Sequence, residues 1–203
     1  MSPRTLRPTR SMRPTRQRQR GISLILVLLF LVILTLVGVS ASMSSRSAEL
    51  MSRNARDQNI ALQAAESALR DARQDIGTTR DLQKEGSVGA SDTCDLPTYK
   101  GYCTPASIGQ QPRWEQYLED PLRSVELGEI TALKPEQKMP TTDTAKGNGV
   151  SRQPRYIIER VPDLNTGNPL TPGAAPSVVY RITAVGYGAS ATTRVMVQEV
   201  VRF

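Results

Sequence analysis

The sequence predicts an α+β protein. A long N-terminal helix, part membrane-spanning and part amphipathic, packs on a small antiparallel β-sheet. Three observations lead there. Residues 21–45 form one uncharged apolar run. Apolar residues then recur at helical spacing as far as Ile76. The C-terminal part holds three runs with strand character. The chain divides accordingly into a basic leader (1–21), a membrane helix (22–43), an amphipathic extension (44–76) and a head (77–203).

The apolar run reads GISLILVLLFLVILTLVGVSASMSS. As a helix, Ile22 to Met43 spans roughly 33 Å at 1.5 Å per residue. That matches a hydrocarbon core of about 30 Å, whereas a core helix of a soluble domain is seldom apolar on every side for such a length. Seven arginines and no acid lie in residues 1–20. A basic flank before an apolar run marks the cytoplasmic side. The residues leave two routes open: a secretory signal peptide cut near Val39-Ser40-Ala41, or an uncut single-pass anchor. Both place the head outside the cytoplasm.

Beyond the membrane, Met51, Ala55, Gln58, Leu62, Ala65, Leu69, Ala72 and Ile76 recur at alternating spacings of four and three. All but Gln58 are apolar, which predicts an amphipathic helix with one packing stripe. Asn54, Arg56, Asp57, Gln63, Glu66, Arg70, Asp71 and Arg73 fall on the other faces. Gly77 follows as a helix stop. The stripe must bury itself against a sheet or against other helices.

Residues 77–154 are rich in Gly, Pro, Ser and Thr and read as loops, with one short helix near Arg113–Leu118. Residues 141–149 read as a mobile loop whose lone Asp143 makes no calcium site. Cys94 and Cys103 are the only cysteines. Outside the cytoplasm they are expected to form an internal disulfide, with free thiols or a bridge to another chain as the alternatives. The strand runs are Arg155–Val161, Ser177–Tyr187 and Thr192–Arg202, the last two joined as a hairpin. Gly186-Tyr187-Gly188 reads as a turn and not a phosphate loop, because no helix follows it.

Charge and composition remove several function classes. The chain has 26 basic and 19 acidic residues, and the seven leader arginines account for the whole excess. The head is therefore neutral, which argues against a nucleic-acid partner. Histidine is absent, so His-based triads and His metal ligands are excluded. Aromatics are only 4% of the chain, which predicts a small, largely aliphatic core. Neither a catalytic constellation nor a metal or cofactor site emerges, and the chain is read as a non-enzyme.

The junction Arg18-Gln19-Arg20-Gly21, running straight into the apolar helix, resembles the leader of type IV pilins and pseudopilins. The segment Asn54–Arg73 (NARDQNIALQAAESALRDAR) resembles the N-terminal region of PilX-type minor pilins, which show Asn-Ala-Arg-Asp followed by Ala-Ala-Glu and Ala-Leu-Arg. The Tyr-Arg-Ile-Thr-Ala strand, Gly-rich turn and Val-rich last strand are similar to the C-terminus of PilX and K-type pilins. The resemblance implies a pilin-like fold and cleavage by the prepilin peptidase between Gly21 and Ile22, with Ile22 becoming the N-methylated terminus. It also exposes a departure. Most pilins carry Glu as the fifth mature residue, where this chain has Leu26. A carboxylate without a partner in the membrane costs about 2.5–3.5 kcal/mol on insertion scales. Its absence suits a subunit with no neighbour above it, as in the K-type pseudopilins.

The expected function is that of a minor pilin priming type IV pilus assembly at the tip, supporting adhesion and twitching motility. Its expected partners are other minor pilins, the major pilin, the prepilin peptidase and a tip adhesin. The expected location is the inner membrane, head in the periplasm, and then the pilus. The alternatives are a K-type type II secretion pseudopilin and a membrane-anchored periplasmic binding module.

Overall fold

The computed structural model describes residues 22–85, 89–141, 149–162 and 178–202. Two compact units are present, Met1–Glu49 and Leu50–Phe203. Helix α1, Ile22–Gln74, has 53 residues and runs through both. It contains no proline and one glycine, Gly38, so nothing in the sequence interrupts its ladder.

In the first unit, residues 22–49 are exposed along their whole length. This helix is long and apolar enough to cross a membrane. Thr35 donates its hydroxyl back to the Val32 carbonyl at 2.8 Å. A polar side chain is thereby satisfied within the helix, as hydrocarbon surroundings demand.

The second unit begins with the rest of α1. The helix does not stop at Gly77. It loosens after Gln74 into a π-turn, Asp75–Thr79, with Gly77 inside it. Hydrogen bonding from i to i+5 aligns side chains five apart, and Asp75 and Arg80 are such a pair. Arg80 Nε donates to Asp75 Oδ1 at 2.7 Å. That buried contact accompanies the wider turn, which stands in place of the glycine cap expected from sequence. Helices α2 (Leu82–Glu85) and α3 (Arg113–Tyr117) are short.

Among the described residues the sheet has five strands: β1 (Tyr102–Cys103), β2 (Val125–Glu126), β3 (Arg155–Pro162), β4 (Val178–Tyr187) and β5 (Arg194–Val201). Their order is β1-β3-β4-β5, with β2 also on β3. The three long strands are antiparallel neighbours. The sheet is nonetheless mixed, because β1 runs parallel to β3, pairing Tyr102 with Ile158. Two-residue strands have no periodicity to detect, and both take their hydrogen bonds from the outer edge of β3. Gly186 and Tyr187 belong to β4 and not to a turn. The turn starts at Gly188, whose N–H donates to the Thr193 carbonyl at 2.9 Å.

Strand alternation divides the core in two. On the α1 face, Tyr156, Ile158, Tyr180, Ile182 and Ala184 meet Ala68, Ala72 and Ile76. On the outer face, Ile157, Val185 and Tyr187 pack against Cys94, Cys103 and Leu118, with Trp114 and Tyr117 at the margin. The core is less aliphatic than its composition predicts. Four of the six tyrosines, Tyr102, Tyr156, Tyr180 and Tyr187, are buried. Few aromatics does not mean few aromatics inside.

Candidate functional site

The residues singled out by sequence fall in separate places. Gly21 lies outside the described residues, as do the leader and Asp143. Ile22 opens α1 and is exposed, as is Leu26. Both belong to the uncharged helical segment of the first unit, and among the described residues of that unit none covers them.

The amphipathic stripe is displaced from where its larger residues put it. Ala65, Ala72 and Ile76 are buried and Leu69 is half-buried. Met51, Ala55, Gln58 and Leu62 are exposed. The line that meets the sheet is Ala61, Ala64, Ala65, Ala68 and Ala72, with Asp71 among them. The cause is the distance of approach. A Cβ built on Gly186 would stand 2.1 Å from the Ala61 carbonyl oxygen and 2.3 Å from the Ala65 nitrogen. Helix and strand backbones are in direct contact there, and only alanine fits on the helix side.

Three acids, two on α1 and one opening its π-turn, hold the head. The Asp57 carboxylate accepts from the N–H groups of Ala189 and Ser190, fixing the β4–β5 turn against the helix. Gly188 makes this possible, since a Cβ there would lie 2.4 Å from Asp57 Oδ1. Asp71 accepts from the Gly128 N–H at 2.8 Å and from the Thr131 hydroxyl. Burial raises its pKa, and these two hydrogen bonds oppose the rise. Asp75, wholly buried, accepts from Arg80 and from the Tyr156 hydroxyl at 2.9 Å. Burial first, and the nearby Asp75 and Asp71 charges next, push the Tyr156 phenol well above its usual pKa. The sequence pattern places Asp57 and Asp71 on faces other than the apolar stripe. The available signal was their helical spacing from the alanine line, four from Asp57 to Ala61 and three from Ala68 to Asp71.

Cys94 and Cys103 form a disulfide with Cα atoms 4.8 Å apart. Both are buried, and the bridge packs on Ile157 and Leu118 under the outer sheet face. Cys94 has φ 58°, a left-handed conformation uncommon for a residue other than glycine. Replacing both by alanine is expected to cost about 2.7 kcal/mol on the chain-entropy model for a loop of this length. The midpoint of denaturant unfolding measures it. An unchanged midpoint would show that the bridge contributes nothing to the head. Among the described residues, no group of three His, Cys, Asp or Glu side chains could hold a metal ion.

Comparison with known families matches both halves of this arrangement. A family described as PilX N-terminal matches residues 20–70. A family described as type IV pilus assembly protein PilX C-term matches residues 99–203, more than half of the chain. The chain belongs to the PilX family. The N-terminal match carries Asp57 and most of the alanine line, and the C-terminal match carries all five strands and Gly186. The PilX assignment therefore spans both sides of the helix–sheet contact. It supports a type IV pilus minor pilin role, and PilX proteins are structural components of the pilus. The apolar helix fits a membrane-anchored component. No match was found among curated proteins or among solved structures.

Proposed function

We propose that this protein is a minor pilin that primes type IV pilus assembly, stands at the pilus tip with other minor pilins, and so supports adhesion and twitching motility. The observation that carries the reading is the match of both chain halves to PilX pilus assembly proteins. The prepilin peptidase would cut between Gly21 and Ile22, leaving an N-methylated Ile22 at the start of α1. Before assembly the protein would sit in the inner membrane with a periplasmic head. The uncharged Leu26 supports the tip position. A subunit within the shaft without the usual carboxylate would leave a neighbour's terminal ammonium unpaired in apolar surroundings, which is costly. The other minor pilins, the major pilin and a tip adhesin would be its partners.

Intact-mass measurement tests the processing. The mature chain should begin at methylated Ile22, and Gly21→Arg should leave the full-length precursor in the membrane. Processing that continues unchanged in Gly21→Arg would sink the pilin reading. Immunogold labelling tests the position separately, since label spread evenly along the shaft would remove the tip assignment while leaving the family intact.

A further inference from the structure

Strand β5 ends the sheet. Among the described residues only β4 pairs with it. The Gly188–Thr193 hydrogen bond sets the parity of the β4–β5 ladder. In an antiparallel pair every second residue turns its N–H and C=O to its partner. From the register, Val195, Val197, Glu199 and Val201 of β5 face β4. Arg194, Met196, Gln198 and Val200 therefore turn their backbone donors and acceptors outward, along the open edge.

Natural sheets guard such edges with lysine, proline, bulges or inward charges. Of these devices β5 carries only charged side chains, and both are paired within the chain, Arg194 with Glu119 and Glu199, on the α1 face, with Arg73. β5 contains no Pro and no Lys, and its register with β4 runs unbroken from Arg194 to Val201. Both faces beside the edge are hollow. On the outer face a cleft of about 450 Å³ lies between α3 and the β4–β5 pair, lined by Trp114, Leu118, Val185 and Met196 and by the paired Glu119 and Arg194. On the α1 face a cleft of about 330 Å³ is lined by Leu69, Arg70, Arg73 and Glu199. Met196, which lines the outer cleft, is 49% exposed, and Val200, further along the same face of β5, is 59% exposed. An open backbone row with room for side chains above and below has the form of a missing strand.

We propose that the β5 edge is a docking site for an extended strand of a different pilus subunit, which joins the sheet by β-augmentation. The pilus reading above supplies the source of that strand. Its backbone pairs with Arg194, Met196, Gln198 and Val200, and its alternate side chains are apolar where they lie over Met196 and Val200.

Residue-resolved amide hydrogen exchange tests this on the full chain, purified in detergent alone and in complex with co-expressed pilus subunits. The complex is expected to slow exchange about tenfold or more at Met196, Gln198 and Val200. Val195, Val197 and Glu199, already bonded to β4, should be unaffected. Met196→Pro removes an outward N–H and no β4 bond, so it should abolish the slowing and keep the β4-facing amides protected. Should Met196→Pro lose that internal protection, Val200→Lys is the second variant, with the backbone intact and a charge on the apolar row; it should also reduce the slowing. Exchange that is equally fast in both preparations overturns the proposal. So does slowing that is equal at all six positions. Protection already present in the chain alone assigns the edge to a segment of this chain, and protection lost on dilution assigns it to a second copy. Either result overturns the proposal while leaving Ile22 processing, and hence the pilin reading, untouched.

Discussion

Gly186→Leu is expected to prevent the head from closing on its helix. The first atom of any side chain at this position would meet backbone: Ala61 O at 2.1 Å, Ala65 N at 2.3 Å and Ala64 C at 3.0 Å. No rotamer relieves that contact, because the clash is with Cβ itself. The neighbours are main-chain atoms of a continuous helix and cannot swing aside. β4 would have to lift from α1, and β4 is the central strand that joins β3 to β5. Even Gly186→Ala should cost about 3 kcal/mol, the upper end of overpacking penalties, and Gly186→Leu should leave no cooperative unfolding transition. Gly38→Ala is the control, since nothing lies within 4 Å of a Cβ there. Urea unfolding followed by tyrosine fluorescence reads the difference. A Gly186→Ala protein within about 0.5 kcal/mol of the parent, the range of ordinary surface substitutions, would mean that helix and strand are not in contact.

That contact also explains what could and could not be read in advance. The apolar run of α1 and the runs that became β3, β4 and β5 were legible because their period matches their environment. The packing face of α1 was misplaced because hydropathy weights Met51, Leu62 and Leu69 above alanine. A glycine in the facing strand reverses that weighting, and it is distant in sequence. β1 and β2 have two residues each and carry no pattern. The disulfide pairing was legible because only two cysteines exist. The acids of α1 and its π-turn were not. Asp57, Asp71 and Asp75 look like ordinary polar positions of an amphipathic helix, and their partners lie in segments that only the fold brings near. The leader junction and the Asn-Ala-Arg-Asp segment pointed to the family, and the physical role of that aspartate appears only with the β4–β5 turn beside it.

Asp75→Ala should be the most damaging loss of a single polar side chain in the head. Asp75 is 0% and Arg80 7% exposed in their side chains. Arg80 donates to Asp75 through Nε at 2.7 Å and to the Lys100 carbonyl at 2.9 Å. One guanidinium thus ties the end of α1 to the residue before Gly101, whose carbonyl accepts from the Ile158 N–H at 2.8 Å. Removing the carboxylate leaves a buried cation unpaired and the Tyr156 hydroxyl without its acceptor. Breaking a buried pair from one side costs about 3–5 kcal/mol. Arg80→Lys should recover little, because an ammonium cannot make the two-pronged contact. The double variant Asp75→Ala/Arg80→Met should be more stable than Asp75→Ala, because it removes the stranded charge along with its partner. Urea midpoints of the parent, Asp75→Ala, Arg80→Met and the Asp75→Ala/Arg80→Met double variant decide the matter. Additive losses would show that the two groups act independently, and the π-turn would then need another cause. Non-additive losses would identify the Asp75–Arg80 pair as the reason α1 ends in a five-residue turn, and as the joint through which the helix end positions β1 and the disulfide loop beside it.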